Sequence, residues 1–118
     1  MEGLRDRTKD FALRVIRVYS ALPRDTASQV MGKQMLRSGT SVAVNFREAS
    51  RARSDAEFIA KLGIVEQEFD ETALWFELLV ESEMMSQNQL DALIQESDEL
   101  LRIIVTAAKT TKKNISKG

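Results

Sequence analysis

The fold class this sequence predicts is all-α, an antiparallel up-down four-helix bundle. Three observations predict it. Apolar residues recur at alternating steps of three and four along four separate stretches, with no strand-like alternation. Chain breakers are scarce, with one Pro and five Gly in 118 residues. The links between the periodic stretches are short, so consecutive helices must fold back as antiparallel neighbours.

The first helix is expected over Leu4 to Leu22. Leu4, Phe11, Val15, Val18 and Leu22 form its inner line, and Ala12, Ile16 and Tyr19 widen it enough to meet two neighbours. Arg7, Arg14 and Arg17 edge that stripe on one side, Arg5 and Lys9 on the other. Pro23 ends the helix, because the residue before a proline is pushed out of the helical region. Thr26 followed by Gln29 is a capping-box start for the second helix.

The second helix has an apolar line, Met31, Met35, Val42, Phe46 and Ala49, and beside it a polar line, Gln34, Ser38, Ser41, Asn45 and Glu48. Gly32, Gly39, Ala43 and Ser50 occupy the other flank. Ser38-Gly-Thr-Ser41 is poor helix material, since Gly alone costs ~1 kcal/mol against Ala. The helix either breaks at Gly39 or continues as a close-packed seam in which Asn45 and Glu48 find buried partners, Lys61 and Arg37 foremost. Continuity is favoured because the apolar period keeps its phase across the gap.

Arg51-Ala-Arg-Ser54 links this helix to the third, which starts near Asp55 with Ser54 and Glu57 as a capping box and runs to about Glu83. Phe58, Leu62, Val65, Phe69, Thr72, Phe76 and Leu79 form its inner seam. Lys61, Ile64, Glu68, Trp75 and Leu78 form a second, mixed stripe about a quarter turn away, which implies contact with more than one neighbour. Ser86 with Gln89 opens the fourth helix, with Leu90, Ile94, Ser97, Leu101, Ile104 and Ala108 inward. From Lys109 the sequence KTTKKNISKG loses its apolar period. The expected organisation is therefore a bundle over 1–108 and a basic, fraying tail over 109–118.

The stretch R-S-G-T-S-V-x-x-N-x-x-E-A from Arg37 to Ala49, F-x-x-K-L-x-I from Phe58 to Ile64, and E-x-x-E-T-x-x-W from Glu68 to Trp75 resemble the signature of one bacterial family. Its members are four-helix-bundle proteins first noted as products of intervening sequences inside large-subunit ribosomal RNA genes. The accessory protein of diversity-generating retroelements is similar at greater distance. The resemblance implies an up-down bundle that assembles into a ring, commonly of five, and the retroelement relatives imply binding of nucleic acid and a reverse transcriptase. By position, Arg37, Ser41, Asn45, Glu48, Lys61, Glu68 and Trp75 are the signature residues; no catalytic role attaches to them.

Composition narrows the chemistry. Zero His and zero Cys remove the usual zinc sites, Cys and His nucleophiles, and the Glu-x-x-His ligands of a di-iron bundle. Glu66, Glu68, Asp70 and Glu71 form the dense acidic cluster, where an oxygen-ligated magnesium ion is conceivable but a solvated helical face is the simpler account. No catalytic, cofactor or small-molecule site is expected. No apolar run approaches 18 residues, and the N-terminal residues lack the hydrophobic core of a signal peptide, so a cytoplasmic protein is expected.

Charge is segregated. Residues 1–53 hold 11 Lys/Arg against 5 Asp/Glu, residues 54–101 hold 1 against 13, and residues 102–118 hold 5 against none. Basic first and second helices can sit beside an acidic third within one chain. A basic face can also meet the acidic strip Glu66, Asp70, Glu77 and Glu81 of another copy, as a head-to-tail ring requires. The function expected is a non-enzymatic homo-oligomeric bundle acting as an adaptor or accessory protein, with RNA or DNA a candidate partner through Arg7, Arg14, Arg17, Lys109, Lys112 and Lys113. The alternatives are a protein-only regulator and, less favoured, a carboxylate/magnesium enzyme. A sequence isoelectric point near 5.5 weighs against nucleic acid.

Overall fold

The computed structural model describes residues 3–117. They form four helices, α1 (Leu4–Ser20), α2 (Thr26–Ser50), α3 (Asp55–Glu81) and α4 (Gln87–Lys117), with no strand among the described residues. The helices run up and down in a rod of 53 × 21 × 20 Å. α2 packs most extensively on α3, α1 on α2 and α3 on α4, while α1 and α4 close the bundle more loosely.

Polar side chains set the helix starts. Ser54 Oγ accepts the backbone N–H of Glu57 at 3.1 Å, and Ser86 exchanges bonds with Gln89, whose backbone N–H donates to Ser86 Oγ at 3.3 Å. At α2 the cap is Asp25 rather than the expected Thr26. Its carboxylate accepts from the Ser28 backbone N–H at 3.0 Å and from Ser28 Oγ at 2.8 Å, and these bonds hold its pKa below the usual range. A carboxylate at this position also faces the positive end of the helix dipole, so it outcompetes a neutral hydroxyl. α3 ends in a left-handed residue, Glu83 (φ 63°), after which the N–H groups of Met84 and Met85 return to the Leu79 carbonyl.

The core is built from the periodic residues. Phe11, Val15, Met35, Val42, Leu62, Phe69, Leu79, Leu90, Leu100 and Ile104 are wholly buried. Phe11 of α1 and Phe69 of α3 meet across the bundle with centroids 5.3 Å apart, tilted by 57°, a geometry worth ~0.5–1.5 kcal/mol beyond area burial.

α2 is continuous through Gly39. Two glycines explain how close α1 comes. A Cβ on Gly39 would sit 2.8 Å from Val15 Cγ1, and one on Gly32 would collide with Leu22 Cδ1 and meet the Tyr19 ring. The polar line of α2 then meets α3 through Ser38, whose buried hydroxyl is 2.7 Å from Thr72 Oγ1.

α4 continues to Lys117, where the sequence pattern predicts fraying from Lys109. Losing the apolar period removes burial, but Lys and Thr do not break a helix. Thr111 Oγ1 bonds back to the Ala107 carbonyl at 2.9 Å, and basic residues favour a helix C-terminus.

Candidate functional site

The signature residues converge on the outer side of the α2–α3 seam. Arg37 of α2 reaches across to Glu68 at 3.3 Å and to Glu71, and the Trp75 indole N–H donates to the same Glu71 oxygen at 3.1 Å. The Arg37 guanidinium, and then the Trp75 donor, hold the Glu71 carboxyl below its ordinary range, and Glu71 in turn raises Arg37. Further along, Lys61 Nζ donates to Glu48 at 2.7 Å. Each α2 partner lies opposite its α3 partner because the helices are antiparallel. The network therefore fastens the α2–α3 hairpin with charge pairs on its outer side.

Two expectations about this seam fail. Glu48 is not buried; its side chain is 47% exposed, and its pair with Lys61 is a surface pair. At 100° per residue Glu48 lies roughly 120° around α2 from buried Val42, outside the packed stripe. Asn45 is half-buried but bonds within its own helix, donating from Nδ2 to the Ser41 carbonyl at 2.9 Å. Neither Asn45 nor Glu48 pairs with Arg37. Ser38 holds the buried polar place where α2 faces α3.

The acidic cluster does not converge. Glu68 and Glu71 turn toward Arg37 on α2, whereas Glu66 and Asp70 point to the other side of α3. Among the described residues no three carboxylates gather to hold a metal ion. Of the acidic strip, Asp70, Glu77 and Glu81 are exposed and Glu66 is half-buried.

The nucleic-acid candidates do not form one patch. Arg7 donates to Glu96 at 2.6 Å and lies 3.4 Å from Glu99, so it ties α1 to α4. α1 and α4 are antiparallel, so Arg17 lies about 15 Å and Lys109 about 20 Å from the Arg7–Glu96 pair, in opposite directions. Arg14 is half-buried; Arg17, Lys109, Lys112 and Lys113 are exposed.

Apolar side chains are exposed on every helix, Leu13, Ile16, Val30, Val44 and Ile115 among them, and two surfaces combine exposure with a pattern. One is apolar. Ile64, Leu74 and Leu78 of α3 are 38%, 48% and 39% exposed although the helix has already buried its inner seam, and Leu74 and Leu78 flank half-buried Trp75. The other is a basic groove between α1 and α2, lined by Arg5, Lys9, Arg47 and Arg51. The sequence contains its signal, two basic pairs at four-residue spacing, but the register that sets one pair opposite the other belongs to the fold.

No helix among the described residues is long and apolar enough to cross a membrane. No curated protein matches the chain. A crystal structure of a protein of unknown function from the S23 ribosomal protein family of Bacteroides thetaiotaomicron superposes with a TM-score of 0.84 at 38% identity, covering 90% of this chain and 98% of that one. The model of the family described as 23S rRNA-intervening sequence protein matches residues 4–106. Nearly the whole bundle lies within that match, the Arg37–Trp75 network included, and the chain belongs to the 23S rRNA-intervening sequence protein family.

Proposed function

We propose that this chain is a non-enzymatic assembly protein, which associates with copies of itself through the outer face of α3 and serves as an adaptor. The observation that carries this is the exposed pair Leu74 and Leu78 beside Trp75, on a helix whose inner seam is complete, with Ile64 exposed about 15 Å earlier on the same side. Exposed apolar residues clustered on one face and rimmed by charge mark contact surfaces. Here the rim is the Arg37–Glu71 network on one side and Asp70, Glu77 and Glu81 on the other. Five copies is the number that the sequence resemblance implies, and a closed head-to-tail ring is the assembly that two unlike surfaces on one chain would build.

The lack of His and Cys and the pairing of Glu68 and Glu71 with Arg37 support a role without catalysis. Light scattering after gel filtration at micromolar concentration tests the assembly. A ring of five chains of 13.3 kDa gives about 66 kDa. A mass of 13.3 kDa would remove it.

A further inference from the structure

We propose that the α1–α2 groove binds the phosphate backbone of a nucleic acid strand without reading its sequence. The groove has a volume of about 400 Å³, and Arg5 and Lys9 line it from α1, Arg47 and Arg51 from α2 and its C-cap. All four are exposed, and none has a carboxylate within ion-pair distance among the described residues. By contrast, Arg7, Arg37 and Lys61 all face carboxylates across helix–helix seams. The one acid on the groove, Glu48, already accepts from Lys61 at 2.7 Å.

Like charges one helical turn apart repel, and here two such pairs face each other across antiparallel helices. Arg47 and Arg51 gain from the C-terminal end of the α2 dipole, but Arg5 stands in the first turn of α1, where that dipole disfavours a cation, so a ligand that brings negative charge is the natural complement of the four together. Residues four apart on a helix have Cβ atoms ~5–6 Å apart, so the groove presents two successive anion positions rather than one. Three of the four cations are arginines, whose planar forks match phosphate oxygens bidentately. Arg53 lines the adjoining hollow with Arg5, but Asp55 lines it too, so the more strongly basic surface is the groove itself. The apolar lining is Ala43 and the exposed Val44, which offer no side-chain hydrogen bond and no aromatic surface for a base. Contact is therefore with the backbone alone, and it replaces the dispersed set of Arg7, Arg14, Arg17 and tail lysines as the nucleic-acid surface.

The test is fluorescence anisotropy with labelled mixed-sequence single-stranded RNA and DNA 20-mers at 50 mM salt. The proteins compared are the full chain, Arg47→Glu/Arg51→Glu and Lys112→Glu/Lys113→Glu. Both substituted pairs are exposed, so folding is monitored by circular dichroism and assembly by light scattering. The groove predicts binding of both strands, tenfold or more weaker in the Arg47/Arg51 variant and changed much less in the Lys112/Lys113 variant. Affinity should fall with salt at a log–log slope of roughly −3 or steeper for four cations on a single strand. Absence of binding at ~10 µM protein, or equal binding by the Arg47/Arg51 variant, overturns the proposal at typical non-specific affinities. Displacement by poly-glutamate as effective as by unlabelled oligonucleotide would assign the groove to acidic peptides. A drop in oligomer mass in the Arg47/Arg51 variant would assign it to a contact between copies. The mass readout separates this proposal from self-association through α3.

Discussion

Thr72 Oγ1 of α3 lies 2.7 Å from Ser38 Oγ of α2, with both side chains fully buried, midway along the most extensive helix–helix contact of the bundle. Each hydroxyl also reaches a carbonyl one turn back in its own helix, Glu68 for Thr72 and Met35 for Ser38. Each hydroxyl has one proton, so the pair forms a short directed chain that ends on a backbone acceptor. It ties α2 to α3 across the seam, beside the bond that each hydroxyl reaches within its own helix.

Ser38→Ala and Thr72→Val should each destabilise by ~0.5–1.5 kcal/mol, the net worth of a typical hydrogen bond. The double variant should cost less than the sum, since each single variant already removes the same interhelical bond. Glu48→Ala should cost only ~0–1 kcal/mol, and less in high salt, because its pair with Lys61 is exposed. Urea denaturation of the four variants checks this. A Glu48→Ala loss larger than either hydroxyl variant would contradict it.

Glycine-to-alanine substitution should change sign with position. Gly39→Ala gains ~1 kcal/mol in helix propensity but drives a methyl into the buried, β-branched Val15, at an overpacking cost of ~1–3 kcal/mol. A Cβ on Gly63 of α3 would meet nothing within 4 Å, so Gly63→Ala should stabilise by up to ~1 kcal/mol. Thermal midpoints of the two variants should move in opposite directions. A rise for Gly39→Ala would mean that α1 and α2 pack less closely than described.

The Glu71 carboxyl is held below its ordinary range by Arg37 and then by Trp75. Its unfolded form binds protons more readily than its folded form, so stability from this group rises with pH. That contribution is fully present above the unfolded carboxylate value of about 4.3 and is lost as pH falls through the depressed folded value. Glu71→Gln should therefore flatten the acid limb of the stability profile and leave the neutral region nearly parallel. Trp75 fluorescence reports the transition directly, since its indole N–H donates to Glu71. An unchanged acid limb would show that the Arg37 pair does not perturb the carboxyl.

Much of the fold is legible in the residues because the core depends on local period. The inner seam of α3 from Leu62 to Leu79 is buried as its spacing requires. On α4 the seam is rotated slightly. Leu93 and Leu100 are buried where the spacing points to Ile94 and Leu101, and both of the latter are half-buried. Adjacent apolar residues leave the period ambiguous by one position, and only the neighbouring helices choose between them. The site is less legible. Arg7 and Glu96 are 89 residues apart, and no local pattern announces their pairing. Glu48 and Ser38 share a polar line by spacing, but the line drifts around α2: at 100° per residue Ser38 lies about 40° from buried Val42 and Glu48 about 120°, outside the packed stripe. Register likewise brings Arg5 and Lys9 opposite Arg47 and Arg51.

The central claim is that α3 presents a contact surface on its outer face, and mass measurement on Leu74→Glu/Leu78→Glu tests it most directly. Both side chains are exposed in the single chain, so charging them leaves the core intact and the far-ultraviolet circular dichroism unchanged. Under conditions where the parent chain scatters as a multiple of 13.3 kDa, the variant should fall to 13.3 kDa. A variant that keeps the parent mass, with its helicity intact, would contradict it.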